Sequence, residues 1–192
     1  MREKRFNLAS RLIHWAIALT VTFLLLTVFL RLGWMDKDNM GSILRENLAK
    51  EGISVSQADA ARIGKEIRTP MWQYHILSGY VLIAFYLVRT VITIIQGVTF
   101  KNPFSKHTLV KDQFKSWLYI IFYIFFLTSL FTGFMIVNGP KDLKDVMEKI
   151  HVKSLYYIIT FIIVHIGGVL LADMGSEPGI ISKIVSGNKK DK

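Results

Sequence analysis

The 192-residue chain contains no cysteine. This absence excludes a disulfide framework, a zinc site built on thiolates and an iron–sulfur cluster held by cysteine. It also excludes covalent attachment of a c-type haem, which needs a C-x-x-C-H motif. Any prosthetic group that the protein holds must therefore be bound by other side chains.

Charged side chains are nearly absent from four long stretches of the chain. Residues 117–137 carry none, residues 13–30 and 155–172 carry one histidine each, and residues 76–95 carry one arginine. About 20 apolar residues in a helix cross the roughly 30 Å of a bilayer's hydrocarbon core. The pattern predicts an all-α membrane protein whose four transmembrane helices form a bundle. The single membrane domain spans residues 1–192, with helices over about 11–33, 72–96, 114–138 and 150–172.

Basic residues exceed acidic ones, and the net charge is +10. A charge of this size is compatible with nucleic-acid binding. Here it is spread over the loops and tails between apolar stretches, which fits membrane orientation and contact with lipid headgroups better. Lys and Arg are densest in residues 1–12 and 97–116, which predicts that both termini lie in the cytoplasm. No small-residue cleavage site follows the first apolar stretch, so no removable signal peptide is expected.

The outer loop over residues 34–71 is expected to contain one or two short amphipathic helices. Apolar residues recur at helical spacing at positions 40, 43, 44 and 48. Ser56 and Asp59 resemble a capping box, and Pro70 is expected to end the segment that follows. A solvated connector is the alternative. Residues 179–187 resemble a short interfacial helix with basic neighbours.

Four of the five histidines lie at or inside the apolar stretches, and only His107 stands in a polar loop. Ionisable residues inside a membrane are rare and point to function by default. With the N-terminus inside, two of these histidines fall near the outer face and two near the inner face. His151 and His165 are 14 residues apart, which is about 21 Å and nearly four turns of helix. The depths predict an outer pair, His75 with His151, and an inner pair, His14 with His165.

Two histidine pairs at two depths favour two non-covalently bound haems b. A planar macrocycle takes one axial ligand above and one below, and facing apolar helices supply both the ligands and the pocket. Zinc is the competing metal, but it prefers three or four ligands at one depth. Histidines that only hydrogen-bond between helices are a further alternative.

Arginines and glycines near these histidines are candidates for further contacts with haem. Guanidinium groups bind carboxylates in a bidentate manner, so Arg11 and Arg89 are candidates for the inner haem propionates and Arg31 for the outer ones. Each arginine can instead be a snorkelling interfacial charge, above all Arg31. Small residues let a porphyrin face approach a helix, although they are equally typical of helix packing in lipid. The candidate packing residues are Gly79, Gly133 and Gly168.

The histidines stand in a recognisable arrangement: Arg11-Leu-Ile-His14-Trp15, His75-x-x-x-Gly79, and His151 followed by His165. This arrangement resembles the bacterial cytochrome b561 superfamily, which includes the b-type cytochrome subunits of nickel–iron hydrogenases and small stand-alone di-haem cytochromes. The end of the chain, residues 175–187, is similar to the tail of hydrogenase-type members. The resemblance implies four helices, two haems b, cytoplasmic termini and contact with the quinone pool. The outer loop is long for such a protein, which suggests a surface for a partner.

The resemblance also implies a function in electron transfer. The expected activity is relay of electrons between a periplasmic redox partner and membrane quinone, the partner being a c-type cytochrome or an oxidoreductase subunit. A stand-alone quinone-coupled oxidoreductase, such as a superoxide oxidase, is the alternative. The charge-balanced loops at 34–71 and 138–150 speak mildly against that alternative, because a small anion is steered better by a basic surface. A haem-free scaffold or transporter is the third possibility.

Overall fold

The computed structural model describes residues 7–96, 104 and 109–187. Throughout these residues the regular secondary structure is helical. The α-helices are α1 (Leu8–Leu32), α2 (Lys37–Lys50), α3 (Gln57–Ile67), α4 (Thr69–Ile95), α5 (Val110–Asn138), α6 (Lys144–Val152), α7 (Ser154–Met174) and α8 (Ile180–Val185), and a short 3₁₀ helix spans Lys141–Leu143.

Four stretches of the described chain are helical, long and apolar enough to cross a membrane. Their bounds are Leu8–Leu32, Gln57–Gln96, Asp112–Asn138 and Lys141–Met174. Most apolar side chains on these helices are exposed, for example Leu19 and Leu171. Exposed leucines at this density suit contact with lipid, since apolar patches of this size are rare on soluble monomers. The predicted fold class, an all-α membrane protein with four spanning helices and short helices in the outer loop and tail, is confirmed.

The chain divides into two compact units, and the division falls within α1 and α4. The first unit comprises residues 17–82, and the second comprises residues 1–16 and 83–192. The first unit contains the outer loop, whose helices α2 and α3 pack against each other as an antiparallel hairpin. Gly41 makes this possible, because a Cβ there would lie 2.9 Å from the backbone of Ala60. Ser56 caps α3 by accepting a hydrogen bond from the backbone N–H of Asp59, as the sequence predicted.

In the second unit, α5 packs against α6 and α7, and α7 contacts the tail helix α8. The aromatic rings of Phe122 and Phe161 are stacked between α5 and α7. The carboxylate of Asp173 accepts a hydrogen bond from the N–H of Ile181, and Trp15 donates from Nε1 to the carbonyl of Ile184 at 3.3 Å. The first bond holds α8 against the end of α7, and the second holds it against the start of α1.

The fourth span, which the hydrophobic pattern predicts as one helix over residues 150–172, is interrupted for one residue at Lys153. Lys153 has φ −66° and ψ −15°, and its N–H bonds to the carbonyl of Ile150 at 3.1 Å. This ψ and this i→i−3 bond are typical of a 3₁₀ turn. His151 and His165 therefore lie on consecutive helices, so their spacing of 14 residues does not alone place both rings on one helix face.

Candidate functional site

His14 and His165 come together within the second unit. His14 lies on α1 and His165 on α7, and their ring centroids are 6.3 Å apart with an angle of 51° between the ring planes. Phe161, one turn before His165, stacks on its ring at 5.4 Å and an angle of 12°. The stacked phenylalanine limits rotation of the His165 ring.

This separation matches the one required when two imidazoles bind a metal ion from opposite sides. A metal–imidazole bond is about 2 Å long and a ring nitrogen lies about 1 Å from its ring centre, so the two centroids are about 6 Å apart. The distance between His14 and His165 meets that requirement. Metal-ligand clusters of three or more His, Asp or Glu are absent from the described residues. The donor set is thus a pair, as a six-coordinate haem iron needs for its axial positions.

Two arginines belong to the same unit as the histidine pair: Arg11 lies three residues before His14 on α1, and Arg89 lies on α4. Arg89 donates from Nη1 to the backbone carbonyl of Ser10 at 3.4 Å, and Ser10 also donates from its hydroxyl to Gln96 at 3.0 Å. The Nε atom of Arg11 is buried, and no described residue offers it a hydrogen-bond partner. A buried guanidinium donor of this kind fits an anionic group, since leaving it unsatisfied costs about 1–3 kcal/mol or more.

His75 belongs to the first unit, where α1 and α4 fix its ring from two directions. Its Nδ1 atom lies 2.7 Å from the hydroxyl oxygen of Thr27. Trp72 stacks on its ring with centroids 4.5 Å apart and an angle of 4° between the planes. The guanidinium carbon of Arg31 lies 4.8 Å from the centre of the Trp72 ring. A cation–π contact of this kind accounts for the position of Arg31, and its role in binding a propionate stays a prediction.

His151 lies in the second unit, at the C-terminal end of α6 and against α5. Its Nδ1 atom is 3.1 Å from the backbone carbonyl of Ser129 and 3.2 Å from the hydroxyl of Thr132. Gly133 permits this approach, because a Cβ at that position would lie 2.9 Å from Cε1 of the ring. Gly133 therefore places the candidate ligand itself, and its contact with a porphyrin stays a prediction.

The two other candidate packing glycines have open space beside them. Apart from the neighbouring backbone of its own helix, no described atom lies within 4 Å of the position that a Cβ would take at Gly79 or at Gly168. Gly79 follows His75 by one turn of α4, so a planar group bound at His75 could approach the helix backbone there. His107, to which no role was assigned, lies outside the described residues.

Thr27, Thr132 and Trp72 contact candidate ligands but were not singled out from the sequence. Thr27 and Thr132 are small polar residues inside otherwise apolar stretches, and both are 2% exposed. Small polar residues in spanning helices form hydrogen bonds between helices or to functional groups. Their position inside apolar runs was thus the signal that could have identified the two threonines.

Spanning helices that carry facing histidines, with arginines in the same unit, define a class: membrane proteins that hold a haem-like group for electron transfer. The comparison with family models identifies the family. The model of prokaryotic cytochrome b561 matches residues 5–187. The chain therefore belongs to the prokaryotic cytochrome b561 family, and it is a transmembrane b-type cytochrome that functions in electron transfer. Searches of curated proteins and of solved structures gave no match.

Proposed function

We propose that this cytochrome relays electrons between a periplasmic redox partner and the membrane quinone pool, with two haems b held at two depths. The observation that carries the proposal is the 6.3 Å separation of the His14 and His165 rings. It fits two axial ligands on one iron, and both residues belong to one unit of the structure. Membership of the cytochrome b561 family supports the haem type.

At the inner level, four side chains are proposed to hold the cofactor. His14 and His165 would supply two nitrogen ligands to the iron, and Arg11 and Arg89 would supply positive charge for the propionates. When bound, haem supplies reversible one-electron chemistry, with a potential set by its ligands, its burial and nearby charge. The protein keeps the ligand pair in a low-dielectric environment, where the charges of the two arginines act more strongly than in water.

At the outer level, the proposed pair is His75 with His151. The pairing rests on their predicted depth in the sequence. The structure adds, for each histidine separately, that the Nδ1 atom is held by a partner on another helix of its own unit. Two histidines that are each fixed in this way are suited to ligating a metal through their other nitrogen. The proposed orientation, with both termini in the cytoplasm of the inner membrane, follows from the density of Lys and Arg.

The α2–α3 hairpin is proposed to recognise the periplasmic partner. Ile43, Ile53 and Ile67 are exposed on it, between 43% and 52% of their surface being accessible. Isoleucines at this exposure, surrounded by charges of both signs, are typical of a protein-docking surface. The hairpin is thus better suited to a specific protein than to a small anion.

The test replaces residues 40–67 by a short Gly/Ser linker and measures haem content and electron transfer to quinone in membranes. We expect near-normal haem content, normal reduction by dithionite and loss of coupling to the physiological donor. A sharper variant is Ile43→Ala with Ile53→Ala, which should weaken coupling, whereas Lys50→Ala on the same hairpin should not. Unchanged coupling in the linker variant would contradict partner recognition by the hairpin and favour the stand-alone oxidoreductase.

A further inference from the structure

The hydrogen bonds of Thr27 determine which nitrogen of His75 carries the proton. The Thr27 hydroxyl lies 2.6 Å from the backbone carbonyl of Leu24 and 2.7 Å from Nδ1 of His75. A hydroxyl has one proton, and a carbonyl oxygen can only accept, so Thr27 donates to Leu24. Toward His75 the same hydroxyl can then only accept. Nδ1 of His75 is therefore the protonated nitrogen, and the in-plane lone pair is on Nε2.

His151 shows the same arrangement with different partners. The carbonyl oxygen of Ser129, 3.1 Å from Nδ1, can only accept a hydrogen bond. The hydroxyl of Thr132 donates within α5, where the carbonyls of Thr128 and Ser129 lie at 2.8 and 3.1 Å, so toward His151 it too can only accept. Nδ1 of His151 consequently carries the proton, and Nε2 has the lone pair.

We propose that Thr27 and Thr132 are positioning residues that set the tautomer, the ring orientation and the electron donation of His75 and His151. The inference rests on the proposed function, in which these histidines ligate haem. An N–H donated to a fixed acceptor makes the opposite nitrogen of an imidazole more basic. A more basic axial ligand stabilises the oxidised iron, so both threonines lower the potential of the haem that their histidine binds.

A threonine that only packed between helices would not lower the haem potential. The Thr27 hydroxyl already satisfies its donor within α1, so the contact with His75 is an additional bond, made through a lone pair. Trp72 stacks flat on the His75 ring and limits its tilt out of that plane. Thr27 then determines where Nδ1, and with it Nε2, points within the plane. Loss of a purely structural threonine would lower stability without moving the potential of one haem.

The test compares Thr27→Val with Thr27→Ser in the haem-loaded protein. Potentiometric titration of the optical spectrum gives the midpoint potentials, low-spin ferric EPR signals give the ligand field, and a pyridine haemochrome assay gives haem content. In Thr27→Val we expect an upward shift of one midpoint potential, a changed EPR signal for that haem, and recovery of both in Thr27→Ser. Thr22→Val is the matched control, because the Thr22 hydroxyl bonds to the carbonyl of Ala18 on the same helix.

Thr132→Val provides an independent second variant, with Thr128→Val as its control on α5. In Thr132→Val the midpoint potential should also shift upward, but by less than in Thr27→Val, because the Ser129 carbonyl remains as an acceptor for His151. Full haem content with unchanged potentials and EPR signals in both Thr27→Val and Thr132→Val would overturn the proposal, as would equal shifts in the control variants. Upward shifts of two different haems would support both positioning roles and contradict the pairing of His75 with His151. Wild-type protein without haem would refute the proposed function instead.

Discussion

Replacing Gly133 by alanine is expected to displace His151 and weaken haem binding at that histidine. The added Cβ would lie 2.9 Å from Cε1 of the ring. Carbon atoms in contact lie about 3.5–4.0 Å apart, so the ring has to move away from α5 by about 0.5 Å or more. Such a movement lengthens the 3.1 Å separation between Nδ1 and the Ser129 carbonyl to about 3.6 Å, at which distance a hydrogen bond is lost.

The expected magnitude follows from three terms. The lost hydrogen bond costs about 1 kcal/mol and overpacking costs about 1–3 kcal/mol. Alanine regains up to about 1 kcal/mol over glycine in a helix interior, which leaves a net destabilisation of about 1–3 kcal/mol. Thermal unfolding in detergent measures this loss, and a haemochrome assay with redox titration measures haem content and potential.

Gly167→Ala is the matched control for Gly133→Ala. Gly167 is also in a spanning helix, but no described atom lies within 4 Å of its Cβ position. The control should retain or slightly raise stability, because only the helix propensity changes. If Gly133→Ala were as stable as Gly167→Ala, with wild-type haem content and potentials, the placement of His151 by Gly133 would be refuted.

Three further predictions concern the inner histidine pair, Arg89 and the cap of α3. His14→Ala and His165→Ala should each remove the same haem and spare the other, as seen in dithionite-reduced difference spectra; loss of different haems would contradict the inner pair. Arg89→Gln should lower the potential of that haem, because removing a nearby positive charge favours the oxidised iron; redox titration tests this, and an unchanged potential would contradict it. Ser56→Ala should destabilise α3 by about 1 kcal/mol, measured by thermal unfolding monitored by circular dichroism. In the folded protein, the hydroxyl of Ser56 also donates to the carboxylate of Asp59 and lowers the pKa of that carboxyl. The stability from this one hydrogen bond is present above the unfolded pKa of about 3.9 and is lost as pH falls through the folded pKa. A thermal stability of α3 in Ser56→Ala equal to wild type at neutral pH would contradict the cap.

Much of the fold follows from hydrophobic patterning and local capping. The four spanning helices were predicted because each is a run of about 20 residues with at most one charge. The start of α3 was predicted because capping is local: the hydroxyl of Ser56 and the N–H of Asp59 are three residues apart on one turn. Interactions within one turn of helix depend little on how the rest of the chain packs.

Contacts between helices were less accessible from the sequence. Thr27 and His75 are 48 residues apart, and their contact depends on the rotation and tilt of α1 and α4, which packing rather than composition determines. The 3₁₀ turn at Lys153 contains neither proline nor glycine, so no local signal marked it. The depth of a histidine could thus be estimated from residue counting, whereas the partner of its Nδ1 atom could not.

The central claim is that this chain holds two haems b between paired histidines. Pyridine haemochrome analysis of the purified protein, with the protein concentration determined by amino-acid analysis, tests it most directly. We expect two haems b per chain, with an α band of the b type in the reduced spectrum. One haem or none per chain would contradict it.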